Sequence, residues 1–183
     1  GCNVVINYNS NADGGNAVAV ECEALGVECL VIGGNVAEDA NCLAMAGAAI
    51  EKWGRIDILV NNAGTTKFVD HSDLHGLSSD DFQHIYGVNV IGSYQMIRGV
   101  SEQMQSQEEG GAVVNVASTA AVTGIGSSVA YAASKGALVT MTLSLARALG
   151  PKLRINAVCP GFIEGDWLRE GLGDQKYEEL MDF

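Results

Sequence analysis

Short apolar runs rich in Val and Ile alternate along this chain with longer Ala-, Val- and Leu-containing stretches of helical character. Residues 3–7 (NVVIN), 27–32 (VECLVI), 56–60 (IDILV), 112–117 (AVVNVA) and 153–158 (LRINAV) predict strands. The run at 56–60 is almost continuously apolar, as in strands buried on both faces. Residues 13–25, 38–52 and 128–149 predict helices, and a further one starts at Ser78, an N-cap serine with Asp81 in the position of a capping-box acid. That helix is expected to run on unbroken and to carry Asn89. Alternating strands and helices predict an α/β fold, a doubly wound parallel sheet covered on both faces. No repeat, low-complexity tract or linker divides the chain, so residues 1–183 are expected to form one domain.

Composition narrows the field. With 183 residues, 48% of them hydrophobic, the chain can bury one core but not two of ordinary size. Ten Lys and Arg against 22 Asp and Glu give a net charge of −12, which repels a phosphate backbone. Nucleic acid and anionic membrane are therefore unexpected partners. The five cysteines form neither C-x-x-C pairs nor a metal-ligand spacing, so reduced thiols and no metal site are expected. No apolar run reaches membrane-spanning length, and the first residues lack the layout of a signal peptide; a cytoplasmic location follows as the expectation. Asp70-His71-Ser72-Asp73-Leu74-His75 reads as a solvated loop, and Gly33-Gly34 as a turn.

The candidate chemistry lies in the second half. Tyr131 and Lys135 are four residues apart in a run of small residues, so on a helix they leave one face about 5–6 Å apart. A phenol ordinarily titrates near pH ~10, and an ammonium beside it favours the phenolate, so Lys135 is expected to lower the Tyr131 pKa. Upstream, the run from Gly111 ends on Ser118, at the C-terminal end of a strand, where open α/β sheets place their ligands. Asn61-Asn62-Ala63-Gly64 ends another strand, and Asn89 is a polar insertion among Val88 and Val90.

These four motifs, in this order and at about these distances, resemble the short-chain dehydrogenase/reductase family, with a Rossmann-like fold. The resemblance covers nearly the whole chain. It implies that Tyr131 is the general acid/base, that Lys135 lowers its pKa and binds the nicotinamide ribose, that Ser118 polarises a substrate carbonyl, and that Asn89 holds a relay water. It places Asn62, Ala63 and Gly64 under the adenine ribose, Asn35 and Val36 at the adenine edge, and Pro160, Gly161 and Ile163 beside the nicotinamide carboxamide. Asn35 replaces the usual aspartate, and Gly165 stands where many members have a threonine. Tyr8, Asn9 and Ser10 follow the second strand of the family pattern, with no acid before Asp13 to repel a 2′-phosphate, so NADP(H) is expected over NAD(H).

The family's first strand, its glycine-rich turn and its first helix have no counterpart here, nor has its last strand. Thr123-Gly124-Ile125-Gly126 imitates the glycine turn but falls between the serine and the tyrosine, in a variable loop. The central strand pairs on both sides in such a sheet, so residues 1–183 alone are expected to bind dinucleotide weakly and to show little activity. Asn7-Tyr8-Asn9 and Pro160-Gly161-Phe162-Ile163 point to relatives of 3-oxoacyl-acyl-carrier-protein reductase. The resemblance further implies a small carbonyl or alcohol substrate, and a homodimer or homotetramer built on the tyrosine helix. Two rival readings remain open: a non-catalytic scaffold for oligomerisation, and a serine hydrolase using Ser118 and Lys135. The second is poor because no G-x-S-x-G elbow surrounds the serine.

Overall fold

The computed structural model describes residues 1–174 together with Tyr177 and Glu178. Five strands form: β1 (Val4–Tyr8), β2 (Cys29–Gly33), β3 (Ile58–Asn61), β4 (Gly111–Val116) and β5 (Leu153–Val158). Helices connect them: α1 (Ala12–Ala24), α2 (Asp39–Trp53), α3 (Ser79–Tyr86), α4 (Ser93–Ser106), α5 (Ala120–Thr123) and α6 (Val129–Leu149), with α7 (Asp166–Leu172) after β5. Every ladder is parallel, as the alternation predicts, and the strands lie within a few residues of their expected places.

The sheet comes in two pieces. β1 pairs with β2, and β3, β4 and β5 pair in that order, but no ladder joins β1 to β3 among the described residues. In the doubly wound order 3-2-1-4-5-6 this interval is the place of the central strand. Both edges facing it are unpaired.

Helices α2, α4 and α6 cover one face of the larger piece. Leu59, Val113, Leu153 and Ile155 point from the strands into a cluster with Ala46 of α2 and Ile97, Val100 and Met104 of α4, and Leu145 and Leu149 of α6 pack against it. Burying each such large side chain contributes about 1.5–3 kcal/mol. The other face is thinly covered: Ile58 and Val60 are each 56% exposed. On the smaller piece, Tyr8 closes β1 with its ring over two glycines. A Cβ on Gly33 would lie 3.0 Å from the Tyr8 hydroxyl, and one on Gly15 3.3 Å from the ring, so only glycine lets α1 and β2 close on this side chain.

Three expectations need correction. The helix entered at Ser78 has the capping box its sequence predicts, with Ser78 accepting from the Asp81 N–H and Asp81 from the Ser78 N–H. It is not one helix, however, because residues Gly87–Gly92 widen into a π-helical turn between α3 and α4. Glycines at both ends of that turn accommodate the extra residue, and Asn89 sits inside it. The loop after Ser118 contains the short helix α5, ended by Gly124 at φ 71°. Finally, α6 has 21 residues and a mean hydropathy of 1.2, enough by length and composition to cross a membrane, and is the one such helix among the described residues. Its inner face carries Ser134, Lys135 and Thr142, all buried, which marks a helix packed on a sheet.

Candidate active site

The C-terminal ends of β3 and β4 converge on the first turns of α6. Ser128 caps that helix, accepting a hydrogen bond from the Tyr131 N–H, and so fixes where the tyrosine begins its turn. Beyond β4, Ala117 N–H donates to the Val158 carbonyl at 2.8 Å, which ties the strand end to β5 and sets Ser118 just past it. Ser118 Oγ accepts from the Ala120 N–H at 3.2 Å, and Ser118 stands beside the Tyr131 phenol. Burial pushes the Tyr131 phenol above its ordinary value of 10, and the neighbouring Ser118 hydroxyl opposes that rise.

Lys135 lies one helical turn on and is only 4% exposed. Its Nζ donates to the Val116 carbonyl at 2.7 Å and stands 5.6 Å from the centre of the Tyr131 ring. Burial lowers its own pKa from 10.5 to about 8, with the nearby Cys159 opposing. The expectation that Lys135 lowers the Tyr131 pKa is thus not met in this state. The ammonium is spent on a backbone carbonyl 2.7 Å away, and burial governs the phenol.

Asn89 is completely buried. Its Nδ2 donates to the Thr65 carbonyl at 3.0 Å and to Ser134 Oγ at 2.9 Å, while its Oδ1 accepts from the Thr65 N–H at 2.8 Å. Ser134 in turn donates to the Tyr131 carbonyl at 2.7 Å. The amide therefore pins the segment after β3 to the tyrosine helix, and its side chain is spent on protein partners. Gly64 borders this pin. A Cβ there would stand 3.6 Å from both Asn89 Oδ1 and Lys135 Nζ, in ordinary contact, so the Gly64 backbone lies beside the ammonium.

At the other end, Asn35 Oδ1 accepts from the Ala37 N–H at 3.0 Å, and the Val36 carbonyl accepts from Gln95 Nε2 at 2.8 Å and Cys42 Sγ at 3.2 Å. Val36 is held rigidly; Asn9 and Ser10 are exposed at the start of α1, and Asn62, Ala63 and Gly64 at the end of β3. Pro160 is half-buried, whereas Gly161 and Ile163 are exposed in the turn after β5. The arrangement brings Asn89, Ser118, Tyr131, Lys135 and Gly64 together, and leaves Tyr8, Asn35 and Val36 at the ends of β1 and β2.

Sequence reasoning passed over a buried polar chain beneath the site. Asn61 Nδ2 donates to Asn115 Oδ1 at 2.9 Å, Asn115 Nδ2 to Thr142 Oγ1 at 2.8 Å, and Thr142 to the Leu138 carbonyl at 2.8 Å. These bonds tie β3, β4 and α6 together inside the core, where satisfied polar groups fix one arrangement. Strand parity was the available signal. Asn61 shares its face with Leu59, and Asn115 with Val113.

A parallel α/β sheet with a serine beside a tyrosine and a buried lysine at its C-terminal edge has the layout of a doubly wound, dinucleotide-type oxidoreductase scaffold. The short chain dehydrogenase family profile matches residues 1–175, and this chain belongs to that family. It is 36% identical over 167 residues to a ketoacyl reductase assigned to the granaticin polyketide synthase of Streptomyces violaceoruber, covering 91% of this chain and 65% of that protein. It is 33% identical to the 3-oxoacyl-[acyl-carrier-protein] reductase FabG of Staphylococcus epidermidis strain RP62A, covering 98% of this chain and 74% of that one. A crystal structure from Burkholderia xenovorans, titled as a short-chain dehydrogenase/reductase, superposes with a TM-score of 0.87 at 37% identity, over 95% of this chain and 72% of the other. The chain therefore spans about two thirds to three quarters of the length of such relatives.

Proposed function

We propose that this chain carries the catalytic residues of an NADP(H)-dependent reductase of small carbonyl compounds, with 3-oxoacyl thioesters as the first substrates to test. The observation that carries the reading is Ser118 beside Tyr131 at a strand end, with a buried ammonium one turn away. A scaffold has no use for a cation in its core, since burying one costs several kcal/mol.

The residues present fit a nicotinamide ribose. Lys135 has three donors, of which one is spent on Val116, which leaves two for ribose hydroxyls. When bound, the dinucleotide supplies or accepts the hydride. Tyr131 donates its hydroxyl proton to the substrate oxygen as negative charge develops there, and Ser118 donates a second hydrogen bond to the same oxygen. Lys135, turned toward the ribose hydroxyls and the phenol, stabilises the phenolate left behind. Asn89 acts by fixing Thr65 and Ser134 around that lysine. Asn35 and Val36 meet the adenine, and Tyr8, Asn9 and Ser10 the adenosine ribose with its 2′-phosphate.

A small-molecule carbonyl or alcohol is the partner, with neither nucleic acid nor membrane, in a soluble cytoplasmic enzyme. Ile91 in the π-helical turn, Tyr94 at the start of α4 and Leu143 on α6 are about half exposed, which suits a homodimer or homotetramer built on this surface. The small residues Ala130 and Ser134 are buried inside the chain itself and do not supply that surface. The test is NADPH oxidation by the full-length protein with a 3-oxoacyl thioester, and sugar oxidation with NADP⁺ beside it. The expected outcome is reduction of the thioester with a specificity constant larger for NADPH than for NADH. An equal or larger value for NADH overturns the NADP(H) preference, and no turnover with any carbonyl or alcohol overturns the enzyme.

A further inference from the structure

The buried polar chain beneath the sheet does not stop at Asn61. Its Nδ2 also donates to the Ser93 carbonyl at 3.2 Å, and Ser93 Oγ donates to the Asn89 carbonyl at 3.1 Å. Ser93 is 4% exposed and is the first residue of α4, immediately after the π-helical turn. In a regular α-helix its N–H would serve the carbonyl four residues back, that of Asn89. Here the N–H turns to the Val90 carbonyl, and the hydroxyl takes over the Asn89 carbonyl.

The chain thereby closes into a circuit that leaves α6 and returns to it. From Asn89 it passes through Nδ2 to Ser134 Oγ and on to the Tyr131 carbonyl. From Asn61 it passes through Asn115 to Thr142, about two turns further along the same helix. Asn61, Asn89, Ser93, Asn115, Ser134 and Thr142 are all buried, and among the described residues no buried side-chain polar atom lacks a partner. We infer that Ser93 is a positioning residue of the site: it locks the π-helical turn so that the Asn89 amide stays aimed at Thr65 and Ser134, beside Lys135. Its importance to catalysis rests on the proposed reductase reading; its hold on Asn89 does not.

Without the hydroxyl, the buried Asn89 carbonyl loses this donor, and the Ser93 N–H can replace it only by leaving Val90. That exchange turns residue 89 about the helix axis, because π-helical and α-helical turns place their side chains differently. The circuit passes the change on, since every amide nitrogen in it already donates inside a low-dielectric core. The Thr65 N–H, which donates to Asn89 Oδ1 at 2.8 Å, is the first group to feel it.

Amide exchange followed by NMR and steady-state kinetics, both on the full-length protein, test this with three variants. In Ser93→Ala the Thr65 amide is expected to exchange at least ~10-fold faster while the β4 amides keep their rates, because only the hold on Asn89 is lost. Reduction of a 3-oxoacyl thioester by NADPH is expected to slow in kcat by roughly 10-fold or more, with the dinucleotide Kd little changed, as a displaced site loses rate before binding. Ser93→Thr keeps the hydroxyl and restores both. Ser101→Ala removes a hydroxyl that donates to the Arg98 carbonyl on the exposed side of α4, and changes neither. Thr65 exchange equal to wild type overturns the inference. So does equal acceleration at Thr65 and throughout β4, which marks a loss of overall stability alone. An unchanged kcat overturns it too, wherever the wild-type protein turns over. If the wild-type protein has no turnover, the reductase reading fails instead, and the exchange rates alone decide whether Ser93 holds Asn89.

Discussion

Lys135, which the proposed function assigns to chemistry, is a burden to the fold. Its folded pKa of about 8 lies below the ordinary 10.5, so the folded chain sheds this proton first. Between those two values the unfolded state binds more protons, and stability contributed at this site rises with pH across that window. Below pH 8 the full cost of burying the ammonium is present, roughly 3 kcal/mol from the size of the shift. Losing the Val116 hydrogen bond sets about 1–2 kcal/mol against it. Lys135→Met is therefore expected to raise the melting temperature at pH 7, with the gain shrinking as the pH approaches 10; thermal melts across that range check it, and a lower melting temperature at pH 7 contradicts it. The pairing of Tyr131 with Lys135 was legible from their spacing alone, because a helix dictates which residues share a face. Where the ammonium points was not. That depends on the Val116 carbonyl at the end of another strand, a contact set by how α6 docks on β4. The packing of Tyr8 was hidden for a similar reason: only the folded structure shows its ring lying over Gly15 and Gly33.

Among the elements, the π-helical turn joins the two ends of the site. It holds Asn89 at the catalytic end and Gly92 against Val36 at the other. A Cβ on Gly92 would fall 2.7 Å from Val36 Cγ2 and 3.0 Å from the Val36 carbonyl, and that carbonyl is already fixed by Gln95 and Cys42. Gly92→Ala must displace backbone and is expected to cost about 1–3 kcal/mol. Gly99, two turns along on α4, meets nothing closer than 3.6 Å, so Gly99→Ala fits and gains up to about 1 kcal/mol of helix propensity. Urea denaturation of the two variants tests the pair; equal stabilities would show that Val36 yields freely. Capping chemistry was readable in the sequence, since Ser78 and Asp81 signal locally. The π turn was hidden because Val88, Val90 and Ile91 surround Asn89 with apolar residues, and one extra residue among them leaves no break in the pattern.

For the whole molecule, the divided sheet sets which parts are firm. β4 is paired on both sides and lies over the main cluster, whereas β1 is paired only with β2 and α1 is lightly buried. Hydrogen exchange on residues 1–183 should find the amides of β4 slowest and those of β1 and β2 faster by at least about tenfold, because separate pieces open separately. Uniform exchange would show that one cooperative unit spans both. The sequence pattern foretold this division, as five strands were visible and none could fill the place between β1 and β3; how thinly one face of β3 is covered emerged only from packing. The proposed function needs both pieces at once, the larger to carry the acid and the smaller the adenine end. Steady-state carbonyl reduction by the full-length protein and its Tyr131→Phe variant, with dinucleotide affinity followed by fluorescence, tests the central claim most directly. The phenyl ring keeps the packing and loses the proton, so the account predicts a rate at least ~100-fold lower with affinity changed little. Retention of more than about a tenth of the rate would contradict it, because a general acid at the reacting oxygen contributes more than that.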